Sequence, residues 1–254
     1  MIILFAMILF IIISLLIRYN KEGFESKYKY TAIIIEPREH PALEFVLQNF
    51  NDNLSNEWKF IIYHGSKNGE YAKKIAKKIF QPDKVSFVNL NVENLDRYTY
   101  SALFFDRSFY DNITEHFLVF QTDSIICSKN KDLIYNFLNY DYVGAPWMND
   151  EGVGNGGLSL RKKSKMLEII SMCKHKDENN NYVMEDRLFS DGCNDIPIYK
   201  PSVEEAKEFA IEGVLSNKSF GLHKSYDYLD SESIKSIQGW CPEINQLTKL
   251  NKNK

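Results

Sequence analysis

Residues 116–124 read His116-Phe117-Leu118-Val119-Phe120-Gln121-Thr122-Asp123-Ser124. The unbroken apolar run Phe117–Phe120 suits a strand covered on both faces, as inner strands of a parallel sheet are. It closes on polar residues that end in a carboxylate, Asp123. Two readings of that acid stand open. Asp123 or Ser124 can cap a following helix by accepting from its first N–H groups. Alternatively, Asp123 sits at the carboxyl end of a parallel strand, where open α/β sheets bind their ligands. Hard divalent cations take oxygen ligands, so an acid in that place is suited to hold one.

The segments before this run repeat one pattern. Tyr30–Ile35, Trp58–Tyr63 and Val85–Val88 read as strands. Between and after them, Ala42–Phe50, Glu70–Phe80 and Tyr98–Tyr110 carry apolar residues at helical spacing. A helix over Lys131–Leu138 and a short strand at Tyr142–Val143 continue it. Strict alternation of this kind implies an α/β fold with a mostly parallel sheet. Its carboxyl edge then carries Glu36, Arg38, His64, Gly65, Gln121, Thr122 and Asp123. The lysines of 70–80 read as a solvated helix face.

Three later segments carry further polar groups. Gly144-Ala145-Pro146-Trp147 precedes Val153-Gly154-Asn155-Gly156-Gly157-Leu158-Ser159-Leu160-Arg161. Its glycines permit close backbone approach. The spacing matches neither a dinucleotide fingerprint nor a phosphate-binding P-loop. The alternative is a tight turn before an edge strand, with Trp147 either stacking on a ligand or packing in the core. Glu185-Asp186 opens an apparent helix, where acids suit the positive end of the dipole or can act as a general base. Phe220-Gly221-Leu222-His223-Lys224 holds a late histidine, a weak signal alone. The segment from Lys249 to Lys254 reads as a frayed tail.

Composition bounds the remainder. The chain has 254 residues, 44% hydrophobic and 26% charged, with 15 Tyr and 17 Phe. That is a globular composition. A formal net charge of -3 offers no electrostatic footprint for nucleic acid, and none is expected as a partner. Cys127, Cys173, Cys193 and Cys241 lack zinc-ligand spacing and are expected to be buried thiols, with pairing in an oxidising lumen the alternative that spacing alone does not decide. Residues 1–17 carry no charge and read as a transmembrane anchor at the short end of bilayer length. A cleaved signal peptide would show a basic start and a small-residue cleavage site. The expected organisation is an anchor over 1–17, a stalk over 18–29, one domain over 30–230, and a C-terminal helix and tail over 231–254. The chain is thus expected to be a single-pass membrane protein. Its side stays open: Arg18, Lys21, Lys27 and Lys29 point to the cytosol by the positive-inside rule. Sequons at Asn53, Asn112 and Asn217 would suit a lumenal domain.

As an ordered set, these runs resemble a family of uncharacterised glycosyltransferase-like domains with a GT-A fold. Ile35-Glu36-Pro37-Arg38 and Tyr63-His64-Gly65 fit the same pattern, so the resemblance spans roughly 30–226. It implies a three-layer sandwich and a hexosyltransferase-like enzyme. Gln121-Thr122-Asp123 takes the place of the GT-A Asp-x-Asp motif, so Asp123 would bind a metal, Mn²⁺ or Mg²⁺, and the donor diphosphate. Gln121 replaces the first acid. Asn155, Gly156 and Gly157 would border donor sugar and acceptor. Glu185 or Asp186, the latter preferred, would be the base, and His223 would complete the metal site. Glu36 and Arg38 would flank the nucleotide. The implied partners are a nucleotide-sugar donor, a glycan, protein or lipid acceptor, and the membrane through residues 1–17. The alternative is a non-catalytic carbohydrate- or nucleotide-binding module on the same fold; a nucleotidyltransferase is disfavoured because this sequence has no early glycine-rich loop with a basic residue. The metal assignment requires Asp123 and His223 to lie within about 10 Å of each other.

Overall fold

The computed structural model describes residues 27–148, 152–193 and 196–252. The anchor expected at 1–17 and most of the stalk lie outside them. Among the described residues no helix is long and apolar enough to cross a membrane.

The N-terminal half alternates as the sequence implies. It runs β1 (Tyr30–Glu36), α1 (Leu43–Asn53), β2 (Trp58–His64), α2 (Gly69–Ile79), β3 (Val85–Asn89), α3 (Arg97–Phe105) and β4 (His116–Phe120). Then follow β5 (Ser124–Ile126), β6 (Tyr142–Gly144), β7 (Leu158–Lys162), α4 (Lys163–Met172), α5 (Glu185–Asp191) and α6 (Val203–Phe209). The chain closes with β8 (Ala210–Ile211), β9 (Gly221–His223), α7 (Ser225–Tyr228), α8 (Ser231–Gln238) and α9 (Ile244–Lys252). The main sheet is six-stranded in the order β3-β2-β1-β4-β7-β6. Strands β1 to β4 are parallel, while β7 runs antiparallel between β4 and β6. A small second sheet has the order β5-β9-β8.

Side chains alternate across a strand, so both faces of β1 and β4 must be covered. Ala32, Ile34, Leu118 and Phe120 enter one core layer with α1, α2, α6 and the C-terminal helices. There Phe120 stacks on Phe50 with centroids 3.8 Å apart. Ile33, Ile35, Phe117 and Val119 enter the other layer, with α3, α4 and α5. This two-sided burial explains the unbroken apolar runs. The result is an α/β sandwich of GT-A-like form.

Several local expectations are corrected. Ser124 opens a strand, not a helix, so Asp123 caps nothing. The helix expected over 98–110 stops at Phe105. Asp106 turns extended there, and its carboxylate accepts from Ser108 N to start a separate 3₁₀ turn. The segment expected as a helix at 131–138 is a 3₁₀ run over Ser128–Phe137. The tail at 249–254 does not fray before Lys252. The Asn251 side chain donates to Thr122 O at 3.1 Å and Lys252 Nζ to Tyr226 O at 3.0 Å, which docks α9.

The cysteines are not thiols. Cys127 pairs with Cys241 and Cys173 with Cys193, with Cα–Cα distances of 4.9 and 5.8 Å, within the usual disulfide range. The first bridge ties the turn between α8 and α9 to the end of β5, across 114 residues of sequence. Spacing alone does not reveal such a pairing.

Candidate active site

The carboxyl ends of β1 and β4 open onto two cavities that meet. The smaller, about 170 Å³, is lined by Glu36, Arg38, Asn94, Thr122, Asp123 and Asn251. The larger, about 320 Å³, is lined by Asn155, Gly156, Gly157, Glu185, Asp186 and His223. Leu95, Tyr100 and Gln121 form the wall common to both. Glu36, Arg38, Gln121, Asp123, Asn155, Gly156, Gly157, Glu185, Asp186 and His223 therefore each line one cavity or the other. His64 and Gly65 do not; the His64 ring turns back, with Nδ1 2.8 Å from Gly65 O. A cleft of about 370 Å³ along the outer strand β3 holds none of these groups.

Two local devices shape the smaller cavity. The Glu36 carboxylate is buried and forked by Arg38, with Nε and Nη2 at 2.8 and 3.0 Å. Asn68 pins the loop by donating to Glu36 O and Arg38 O at 2.9 and 2.7 Å. Asn251 arrives from the far end of the chain.

Asp123 and His223 meet through the second sheet. Ser124 pairs with His223 across β5 and β9, and Lys224 N donates to Asp123 O at 2.9 Å. His223 Nε2 then lies 3.4 Å from Asp123 Oδ1, and Nδ1 lies 3.1 Å from Glu212 Oε1. Neither contact has good hydrogen-bond geometry; Asp123 Oδ1 and both ring nitrogens are buried without one. Burial works against a charged His223, but Asp123 first and then Glu212 outweigh it and push its pKa up to about 10. Burial raises the Asp123 pKa, and the nearby His223 outweighs that and holds it below the usual value.

The pair fits a divalent cation. Two ligands at right angles on an ion, with bonds of about 2.2 Å, lie about 3 Å apart. Glu212 stands 3.1 Å from Nδ1, the place from which a carboxylate would orient a metal-binding imidazole. Asn155 Nδ2 holds Glu212 Oε2 at 2.9 Å. Among the described residues no group of three or more His, Cys, Asp or Glu forms a metal cage, so most ligands would have to come from substrate and water.

At the other end of the cleft, Glu185 and Asp186 part ways. Glu185 is buried, 2.9 Å from Arg161 Nη2, and Ser101 Oγ lies 3.3 Å away. Arg161 is itself fully buried among the rings of Phe104, Tyr142 and Phe189. This carboxylate is committed to Arg161, whereas among the described residues its neighbour Asp186 has no cationic partner of that kind. Asp186 accepts from Gly156 N at 3.3 Å and Arg187 N at 2.8 Å. Burial, and then the Glu185 charge, raise its pKa to about 6.

The glycines are explained by close approach. A Cβ on Gly157 would stand 2.1 Å from His223 Nε2, and one on Gly156 would stand 2.8 Å from Asp186 Cβ. The segment therefore threads between the two acid-bearing elements. Trp147 packs under Arg187, whose guanidinium lies 4.1 Å from the ring centroid, so that face is covered.

Sequence reasoning missed Glu212, Tyr100 and Asn251. The Tyr100 hydroxyl is buried without a good hydrogen bond, and burial followed by the Glu185 charge keeps it protonated. The capping box of α3, Asp96 with Thr99, was legible and would have set Tyr100 in the first turn. Glu212 and Asn251 carry no such signal.

A family model described as "Protein of unknown function (DUF5672)" matches residues 84–223. No curated protein matches the chain. Among solved structures, the apo-form glycosyltransferase GlyE of Streptococcus pneumoniae TIGR4 superposes with a TM-score of 0.51 at 13% identity. That match covers 87% of this chain but 63% of GlyE, and the likeness is one of fold. HddC from Yersinia pseudotuberculosis has a TM-score of 0.40 at 15% identity, covering 55% of this chain and 79% of that one. The mannosyltransferase PcManGT from Pyrobaculum calidifontis, in complex with GDP-Man and Mn²⁺, has a TM-score of 0.43 at 11% identity, covering 57% and 47%. Both likenesses are too partial to inform the site.

Proposed function

We propose that this chain, which belongs to the family described as Protein of unknown function (DUF5672), is a glycosyltransferase that moves a sugar from a nucleotide-sugar donor to an acceptor hydroxyl. The observation that carries this reading is the convergence of Asp123, His223 and Asp186 on one cleft. The smaller cavity takes the nucleoside beside Glu36 and Arg38. Gln121 stands between the cavities, and the sugar enters the larger one past Asn155, Gly156 and Gly157.

Asp186 is the base. A carboxylate with a pKa near 6 is ionised at neutral pH and more basic than an ordinary aspartate. It takes the acceptor proton as the new C–O bond forms and the bond to the diphosphate breaks. The Arg161–Glu185 pair holds the start of α5, and so the Asp186 backbone, in place. Asp123 and His223 are the residues that would hold Mn²⁺ or Mg²⁺, with Glu212 fixing the ring. A bound cation would neutralise charge on the departing diphosphate. The acceptor is a glycan, protein or lipid hydroxyl.

Residues 1–17 would anchor the enzyme as a single-pass membrane protein. The two disulfides support a domain on the oxidising side of that membrane. One observation supports a second reading, a binding module without chemistry: a neutral Gln121 stands where the motif carries its first acid.

The test is a donor screen with the full-length chain in detergent, sugar nucleotides and Mn²⁺ or Mg²⁺. Release of nucleoside diphosphate by wild type and its loss in Asp123→Asn are expected. Equal release from both would remove Asp123 from the mechanism. Binding without release from any donor would favour the binding module.

A further inference from the structure

The C-terminal helix reaches back across the molecule to the smaller cavity. Asn251, near the end of α9, lines it opposite Glu36 and Arg38. Its amide nitrogen donates to Thr122 O and to Leu247 O, each at 3.1 Å. Both partners are carbonyls, which accept only, so the amide can sit in one orientation alone. Both N–H groups are thereby used, and Oδ1 is the atom left for the cavity. The helix is not loosely placed. Ile244 and Leu247 are buried in the main core, Lys252 Nζ donates to Tyr226 O at 3.0 Å, and Cys241 bridges to Cys127 just ahead of the helix.

We propose that Asn251 is a nucleoside-binding residue, whose fixed Oδ1 accepts a hydrogen bond from a ribose hydroxyl or a base N–H of the donor. The proposal rests on the reading of this cavity as the nucleotide site. Its chemistry follows from the neighbours. Thr122 O is spent on Asn251, and the Glu36 carboxylate is taken by Arg38 and the Arg38 backbone N–H. Asn251 Oδ1 is thus a neutral, preset acceptor on that wall. It selects a ligand group that donates, which a nucleoside offers and the oxygens of a fully ionised diphosphate do not. The C-terminal segment is then part of the binding site and not an appendage to it.

The experiment is titration calorimetry of full-length chain in detergent with Mn²⁺ and, separately, UDP, GDP, 2′-deoxy-UDP and inorganic pyrophosphate. Losing one neutral hydrogen bond, Asn251→Ala should weaken the bound nucleoside diphosphate about three- to tenfold and leave pyrophosphate unchanged. A smaller loss with 2′-deoxy-UDP than with UDP would assign the contact to the ribose 2′-hydroxyl; equal losses would assign it to the 3′-hydroxyl or the base. Lys252→Ala, which cuts the other tie of α9 without touching the cavity, should bind as wild type does. Equal nucleotide affinity in Asn251→Ala and wild type overturns the proposal alone. So does an equal loss in Lys252→Ala, because the effect is then one of helix docking. If wild type binds neither UDP nor GDP, the nucleotide reading of the site falls and the proposal with it.

Discussion

The two ends of the cleft each bury acids beside a basic side chain, and they do so in opposite ways. At one end Arg161 and Glu185 are closed on each other, at 2.9 Å, sealed under aromatic rings and further held by Ser159 and Ser101. At the other, Asp123 and Glu212 stand 3.4 and 3.1 Å from the two ring nitrogens of His223, yet the facing atoms of Asp123 and His223 complete no good hydrogen bond. Arg161 Nη1 also lacks a hydrogen bond, but the ion pair it belongs to has closed and keeps its neighbours in place; at the other end the facing atoms themselves are unsatisfied, which is costly and persists where a ligand completes them. On the proposed function, the first end would position Asp186 and the second would receive the ligand.

The largest expected effect separates Asp186 from its positioning partner. Asp186→Asn should lower turnover by about 10²- to 10⁴-fold, the usual span for a general base. Nucleotide affinity should stay as in wild type, with kcat from a coupled release assay and Kd from calorimetry as the two readouts. An equal loss of binding would move Asp186 from chemistry to substrate holding. In wild type the activity limb should rise with pH through about 6, because Asp186 must lose its proton to act. A pH–rate profile without that limb would point to another base.

Stability tests the comparison directly. Arg161→Met strands a buried carboxylate and should cost about 3–5 kcal/mol in urea unfolding, and the double change Arg161→Met with Glu185→Leu should regain most of it. Asp123→Asn leaves Glu212 beside His223 and should cost less than Arg161→Met, about 1–3 kcal/mol. Similar losses at both ends would erase the distinction. Removing the long disulfide by Cys127→Ser with Cys241→Ser should cost about 2–5 kcal/mol, read as a lower urea midpoint. The smallest effect is expected from Gly156→Ala. Its Cβ would press on Asp186 at 2.8 Å, and it should lower kcat more than it lowers the melting temperature.

How much was legible varies along the chain. Strands β1 to β4 could be read because inner parallel strands need apolar residues on both faces, which leaves an unbroken run. Asp123 could be placed at the functional edge for the same reason. The end of α3 was misread because the aromatic periodicity of 98–110 runs on past Asp106, which turns the backbone. Strands β8 and β9 have two and three residues, too few for a period to show.

The grouping of Gly156, Gly157, Asp186 and His223 into one site came only from the family resemblance; the alternation of the N-terminal strands and helices, and the carboxyl edge that holds Glu36 and Asp123, were in the sequence itself. They rest on local pattern: side-chain alternation, helical spacing and the places where apolar runs end. Tertiary structure decided which acid is free. Glu185 and Asp186 are adjacent and alike until Arg161 closes on one of them. It also decided that His223 faces Asp123, through a strand pairing between β5 and β9, and that Asn251 completes the smaller cavity. Such contacts join residues far apart in the chain. They are chosen by the packing of whole elements, and no local stretch carries them.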